Sequence, residues 1–196
     1  MHEERFCHSE YTIRRKVLSI LGAKFHVYGP NEQLVLFTKQ KAFKLREDIR
    51  LYESEAMENE LLVLQARQVI DFGVTFDVVD PLDGDRIGSV RRKGLKSILR
   101  DEWLIFGADD EPLGRVFEDQ ASLALLRRIH PIFSVIAPQS HNFEVNGAMA
   151  ATLRQNRNPF VQKTMVRIED ASAGALDPRL AVGTAVLIAA IEGRQN

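Results

Sequence analysis

The sequence predicts a mainly β protein that buries one apolar helix near its C-terminal end. Three observations predict this fold class. Apolar and polar residues alternate with period two in the middle of the chain, and turn residues separate the alternating runs at short intervals. The third observation is a segment, 180–191, that carries no charged residue. Strands this short and frequent are typical of a sandwich or a barrel.

The alternation is clearest from Leu45 to Leu51, where one face carries Leu45, Glu47, Ile49 and Leu51 and the other carries Arg46, Asp48 and Arg50. It recurs around Phe76 and Val78 and around Phe143 and Val145, as expected for a sheet with one solvated face. Turn residues punctuate these runs at Gly29-Pro30-Asn31, Asp80-Pro81, Asp83-Gly84, Gly107 with Asp109-Asp110, and Asn146-Gly147.

A weak internal repeat strengthens the β prediction. In each copy an aromatic strand is followed by a polar turn and a second strand entered through a small residue. The copies begin at Phe76 and Trp103, with looser copies at Phe25 and Phe143; Gly88 and Gly114 are small residues of the first two. Because one hairpin alone is marginal in water, such repetition indicates hairpins joined in a meander.

Two segments break the β pattern. Gln120 to His130 predicts one short amphipathic helix, which Pro131 limits. The second begins at Asp177, a good N-cap residue, followed by proline in the first turn. We expect a helix in this second segment. Its apolar side chains would spread around most of the helix circumference, so the helix must be buried. Twelve uncharged residues are too few to span a bilayer, which favours a core helix over a tail anchor or an oligomer contact.

The order of these elements resembles the Tubby C-terminal-like superfamily, closest to the LURP-one-related proteins and their bacterial relatives and more distantly to the phospholipid scramblases. The resemblance is carried by 25–54, by 69–114 and by the final helix. It implies a closed antiparallel barrel of about twelve strands around a buried helix at about 177–193. The implied domain spans 17–196, after an N-terminal extension at 1–16.

The functional associations of that superfamily transfer poorly to this chain. Tubby domains bind phosphoinositides, and scramblases are associated with membranes and calcium. The chain lacks the proline-rich N-terminus and cysteine cluster of scramblases, and the segment from Asp80 to Asp85 fits a hairpin turn better than a calcium loop. No phosphoinositide site can be carried over residue by residue.

Composition limits the classes of function. The chain has 196 residues, 45% of them hydrophobic, and a formal net charge of −1, which suits one soluble domain and gives no general attraction for nucleic acid. Its single cysteine, Cys7, excludes an internal disulfide, and no secretory signal is recognisable, so we expect a cytoplasmic protein. No metal-ligand spacing, glycine-rich phosphate loop or catalytic motif occurs, and we expect no cofactor, no metal and no enzyme activity.

Two basic runs are the candidates for binding. The denser one contains five cations that could converge on a phosphate, with Gly94 allowing the chain to turn; its members are Arg91, Arg92, Lys93, Lys96 and Arg100. The second, interleaved with Phe43, contains Lys39, Lys41, Lys44 and Arg46. The alternative for both is a solvated strand edge.

The sequence therefore predicts a non-enzymatic cytoplasmic binding or scaffold domain without a transmembrane span. Its predicted ligand is the head group of an anionic membrane lipid. A protein-interaction or structural module without a lipid ligand remains the alternative, and an enzyme with a spatially assembled site is a third possibility. If the helix fills the barrel, the function must lie on the outer surface or in the loops.

Overall fold

Twelve antiparallel strands close into a barrel, and an α-helix fills its interior. The computed structural model describes residues 3–18, 22–40, 48–67, 74–93, 102–119, 140–156, 162–169 and 176–192. Within these ranges each strand pairs with its neighbours in the sequence, and β1 closes the barrel by pairing with β12. The predicted closed barrel around a C-terminal helix is confirmed.

The strands follow one another as an up-and-down meander. They are β1 (Glu10–Leu18), β2 (Gly22–Tyr28), β3 (Leu34–Gln40), β4 (Ile49–Tyr52), β5 (Glu60–Ala66), β6 (Thr75–Val79), β7 (Arg86–Arg92), β8 (Glu102–Phe106), β9 (Pro112–Glu118), β10 (Ser140–Val145), β11 (Ala148–Asn156) and β12 (Gln162–Ile168). A short 3-10 helix precedes them at Glu3–Phe6, and the α-helix, α1, spans Pro178–Glu192. The predicted helix at 120–130 lies outside the described residues.

The barrel begins earlier than the sequence predicts. Residues 10–16, assigned to an N-terminal extension, form most of β1, which pairs with both β2 and β12. Tyr11 and Ile13 point inward and are buried, as the period-two rule requires. The predicted boundary was too late because three consecutive cations, Arg14 to Lys16, hide the alternation at this point.

Helix α1 occupies the barrel interior along its length. Asp177 caps it by accepting a hydrogen bond from the Arg179 amide at 2.8 Å, and every side chain from Leu180 to Ile191 is buried. At Gly183 a Cβ atom would lie only 3.1 Å from the nearest methyl of Leu64, so this glycine lets the helix approach the barrel wall closely. The prediction of a core helix is confirmed. No helix in the described part of the chain is long and apolar enough to cross a membrane.

The small residues of the repeated hairpins also have a packing role. A Cβ atom on Gly114 in β9 would lie 1.9 Å from the carbonyl oxygen of Glu144 in β10. On Gly88 in β7 it would lie 2.5 Å from the carbonyl oxygen of Phe106 and 2.9 Å from a methyl of Leu180. Glycine at these positions therefore permits contacts that no other residue allows.

The hairpin interpretation of Asp80 to Asp85 is also confirmed, because the Asp80 amide donates to the Asp85 carbonyl at 2.9 Å.

Candidate functional site

The first predicted site lies at the end of β7, and its members do not share one face. Consecutive strand residues point to opposite sides of a sheet. Arg91 is exposed on the outer face, 4.8 Å from the ring centre of Phe106, whereas Arg92 lies 5.7 Å from the ring centre of buried Trp103. Lys93 forms an ion pair with Glu102 at 2.9 Å. Lys96 and Arg100 lie outside the described residues, so the five-residue site stays a prediction.

The second predicted run contributes to a larger basic surface. Lys39 on β3 lies opposite Lys24 on β2, and Lys24 lies opposite Lys16 on β1. Residues paired in this way share one face, with Cβ atoms about 5 Å apart. Three lysines thus form a row across three adjacent strands on the outer face of the barrel. Lys41, Lys44 and Arg46 lie outside the described residues.

The same surface continues around the barrel onto β12 and β11. Arg14 lies opposite Lys163, and Arg154 on β11 is two register positions from that pair. We call this surface the basic belt: it comprises Arg14, Lys16, Lys24, Lys39, Arg154 and Lys163. It spans five adjacent strands, β11, β12, β1, β2 and β3, towards the end of the barrel opposite to the β6–β7 turn.

Most cations of the basic belt have no carboxylate partner among the residues that the structure describes. Arg14 pairs with Glu32, and Lys24 pairs with Glu55 at 2.8 Å. Within the described part of the chain the other four make no ion pair and no hydrogen bond through their side chains; they are exposed and comprise Lys16, Lys39, Arg154 and Lys163. Like charges directly opposite each other destabilise a sheet. The belt therefore carries an electrostatic cost that a bound anion would remove.

A groove of about 290 Å³ runs along the outer face where the basic belt crosses β11, β12 and β1. Its lining includes the hydroxyls of Thr12 and Thr152 and two cations, Arg14 and Arg154. Met165, which is 55% exposed, lies opposite Arg154. A cavity of this size suits a small polar group rather than a drug-sized ligand. Of the described residues that line the groove, none is a histidine or a cysteine.

Arg14 is held in a defined position at the groove. Its guanidinium carbon lies 4.6 Å from the ring centre of Tyr28, and one terminal nitrogen donates to Glu32. Its Nε–H is buried, and it has no hydrogen-bond acceptor among the residues that the structure describes. A buried donor without an acceptor costs free energy, so an acceptor brought by a ligand would be favourable here.

On the opposite side of the barrel, arginines are neutralised by internal carboxylates. Arg67 donates two hydrogen bonds to Asp77, at 2.6 and 2.7 Å, and one to Asp110 at 2.8 Å. Arg86 donates to Asp110 at 3.0 Å, and the Ser89 hydroxyl contacts the same carboxylate at 3.4 Å. The hydrogen bonds from Arg67 and then Arg86 lower the pKa of Asp110 and keep it ionised.

The outer face of β2 and β3 is partly covered by the β4–β5 loop. Glu55 of this loop accepts hydrogen bonds from Lys24 at 2.8 Å and from His26 Nε2 at 2.9 Å, and these contacts lower its pKa to about 2. His26 is buried against Phe37, with ring centres 5.0 Å apart. This loop limits the basic belt on one side.

The sequence contained a signal for the basic belt that the prediction did not use. The tripeptide Arg-Arg-Lys occurs twice, at 14–16 and at 91–93, and only the second copy belongs to the predicted site. The first copy lies in β1, and its neighbours in the belt come from distant parts of the chain. Register between strands, which the sequence does not display, brings these cations together.

Comparison with known proteins identifies no family for this chain. No protein-family model matches this chain, and no curated protein matches it. Among solved structures, the chain is similar to an X-ray structure of a protein from Arabidopsis thaliana at 15% sequence identity. The similarity covers 98% of this chain and 96% of the plant protein, with a TM-score of 0.49.

Proposed function

We propose that this protein is a non-enzymatic, cytoplasmic binding domain whose basic belt binds the head groups of anionic membrane lipids. One observation carries the proposal: Lys16, Lys24 and Lys39 form a row in which only Lys24 pairs with a carboxylate of the described residues, and Arg154 and Lys163 continue this surface. An anionic leaflet contributes about 1 kcal/mol for each Lys or Arg that reaches its surface. The four cations that have no ion-pair partner in the described part of the chain then supply about 4 kcal/mol, which corresponds to weak and reversible binding.

We also propose that the chain belongs to the Tubby C-terminal-like superfamily, near the LURP-one-related proteins. The closed barrel of twelve strands and the helix at its centre support this assignment, since both are implied by the resemblance. The filled interior supports an outer binding surface, because α1 leaves the middle of the barrel without room for a ligand.

The test is co-sedimentation with vesicles. Vesicles of phosphatidylcholine containing about one part in five of phosphatidylserine should retain the protein at about 50 mM NaCl and release it at about 500 mM, because salt screens exposed charges. Pure phosphatidylcholine vesicles are the control and should retain none. Equal retention by both kinds of vesicle, or by neither, would contradict the proposal.

Charge reversal then locates the surface that binds. Lys16→Glu combined with Lys39→Glu should weaken vesicle binding at least about tenfold, since both side chains are exposed and have no ion-pair partner among the described residues. Arg91→Glu on the opposite side of the barrel is the matched control and should change binding little. A selective loss in Arg91→Glu would instead place the site in the predicted run from Arg91 to Arg100.

A protein partner is the second candidate. Met149 on β11 and Met165 on β12 are 48% and 55% exposed, and Met165 lies opposite Arg154. An exposed apolar side chain beside a cation suits an acidic protein surface. A defined complex in size-exclusion chromatography, without any retention on anionic vesicles, would support this alternative over the lipid.

A further inference from the structure

The two halves of the barrel repeat one local structure. In both β1–β2 and β7–β8 the first strand carries an Arg-Arg-Lys tripeptide, within the second half of β1 and at the end of β7. The two arginines of each tripeptide lie over aromatic rings of the second strand. Arg14 lies over Tyr28 as Arg91 lies over Phe106. Arg15 faces Phe25 as Arg92 faces Trp103. Because β1 and β7 are six strands apart in a ring of twelve, the two copies lie on opposite sides of the barrel.

The turns that follow are also equivalent. The Gly29 amide donates to the Gln33 carbonyl at 3.0 Å, and the Gly107 amide donates to the Glu111 carbonyl at 2.9 Å. Glu32 and Asp110 occupy the same turn position, with positive φ angles of 56° and 61°. Each turn thus presents one carboxylate at the outer face, which Arg14 contacts in one half and Arg67 and Arg86 contact in the other.

Strand register shows where the halves differ. Arg14 and Arg91 are equivalent, so Thr12 in β1 corresponds to Ser89 in β7. The cross-strand partner of Ser89 is Asp77, whereas that of Thr12 is Met165. One half therefore places a carboxylate beside its arginines, and the other half places a thioether there.

The groove is lined by three carboxylates, Glu10, Glu32 and Glu169, but Met165 occupies the position that corresponds to Asp77. Asp77 is surrounded by its own arginines, with Arg67 at 2.6 Å and Arg86 at 3.5 Å. In the other half Arg154 lies opposite Met165 and makes no ion pair within the described residues, and the buried Arg14 Nε–H lacks an acceptor. By register Arg67 corresponds to Asn156, and Arg154 corresponds to Gln65. The groove therefore surrounds the position that corresponds to Asp77 with cations of its own, Arg14 and Arg154, and with the hydroxyls of Thr12 and Thr152.

We infer that the groove binds one oxyanion, a phosphate or a carboxylate group, at the position that the Asp77 carboxylate occupies in the opposite half. The oxyanion accepts hydrogen bonds from Arg14 and Arg154 and lies over Met165. This inference rests on the proposed function and assigns the specific contact within the basic belt. Diffuse attraction to the belt needs no defined site. The inferred oxyanion instead occupies a single site, which a carboxylate introduced into the chain at that position would block.

The test uses Met165→Asp in the full-length chain. This variant restores the carboxylate of the opposite half and should fill the groove internally. Met165→Leu is the matched control, and Arg154→Gln removes one ligand of the oxyanion. Both altered side chains are exposed, so the thermal unfolding midpoint of every variant should stay close to that of the unchanged protein, which the experiment verifies.

The readout is an NMR titration of each variant with glycerol 3-phosphate, inorganic phosphate and acetate, together with vesicle co-sedimentation. Met165→Asp and Arg154→Gln should each weaken phosphate binding about tenfold or more, whereas Met165→Leu should leave it within about twofold. Tighter binding of the two phosphates than of acetate assigns the site to phosphate groups. The reverse order assigns it to carboxylates such as those of an acidic side chain.

The failures of the two proposals are distinguishable. If the unchanged protein binds anionic vesicles and Met165→Asp binds phosphate equally well, the groove inference is wrong and the lipid function stands. Vesicle binding without any binding of the three small anions also overturns the groove inference, because the belt then acts through diffuse charge alone. If the unchanged protein binds neither vesicles nor small anions, both proposals fail.

Discussion

Arg179 Nη1 donates a hydrogen bond to Asp80 Oδ2 at 2.9 Å and so ties the first turn of α1 to the β6–β7 turn. The Asp80 side chain is buried, and its Oδ1 accepts a second hydrogen bond from the Leu82 amide at 3.0 Å. Asp177, the N-cap residue, accepts a hydrogen bond from the same guanidinium group. This hydrogen bond raises the pKa of Arg179, and the charge of Asp80 raises it by a smaller amount. The position of the central helix is thus fixed at its first turn.

This contact should be measurable as coupling between the two residues. Arg179→Gln should lower the free energy of unfolding by about 1–2 kcal/mol, and Asp80→Ala should lower it by more, because the Leu82 amide loses its acceptor as well. A double-mutant cycle from urea unfolding should give a coupling energy of about 1 kcal/mol. Additive effects of the two substitutions would contradict a direct contact.

The glycine in β9 gives a second prediction. Gly114→Ala should destabilise the barrel by about 3 kcal/mol or more, since the new methyl group would collide with the backbone carbonyl of Glu144. The matched control is Gly84→Ala, where a Cβ atom meets nothing within 4 Å and only the positive φ of 79° opposes the change. It should cost about 1 kcal/mol. Urea unfolding compares the two, and equal costs would show that β9 and β10 are not in close contact here.

The β4–β5 loop should detach in acid. Lys24 and then His26 hold the pKa of Glu55 at about 2, against an ordinary value near 4.5. A carboxylate with a lowered pKa stabilises the closed loop above its ordinary pKa, and this contribution disappears as the pH falls from about 5 to about 2. The protection factors for hydrogen exchange of residues 53–59, which are corrected for the intrinsic pH dependence of exchange, should therefore fall over that window. Glu55→Gln should show fast exchange already at pH 7, and identical profiles for both proteins would refute the contact.

Alkaline conditions should weaken the barrel through a buried tyrosine. Burial raises the pKa of Tyr11 to about 12, and the hydrogen bond from the His8 amide opposes this in part. The folded state then keeps a proton that the unfolded state loses near pH 10, so stability falls as the pH rises from about 10 to about 12. The loss is on the order of 2–3 kcal/mol. Tyr11→Phe should flatten this pH dependence, and an unchanged slope would assign the loss to other groups.

The sequence was sufficient for the parts of the fold that depend on local periodicity. The all-round apolar character of Leu180 to Ile191 required burial, and the hairpin repeats at Phe76 and Trp103 supplied strands to surround the helix. Strand β1 was missed because its inward residues, Tyr11 and Ile13, are followed by three cations that interrupt the alternation.

The candidate site depended on information that is not local. Lys16, Lys24 and Lys39 are unremarkable along the chain and become a row only when β1, β2 and β3 pair in register. The difference between Asp77 and Met165 likewise appears only when each is viewed beside its cross-strand partner. The predicted site is a dense run of cations along the chain. Strand alternation nevertheless places Arg91 and its neighbour Arg92 on opposite faces of the sheet.

One measurement tests most directly the claim that a helix-filled barrel binds its ligand on the outer face. It is a residue-resolved NMR titration of the isotope-labelled protein with glycerol 3-phosphate. We expect chemical-shift changes at the groove residues Thr12, Arg14, Thr152 and Arg154, and none along α1 from Leu180 to Ile191. Saturable shifts within α1, with the groove unaffected, would place the ligand inside the barrel and contradict the account.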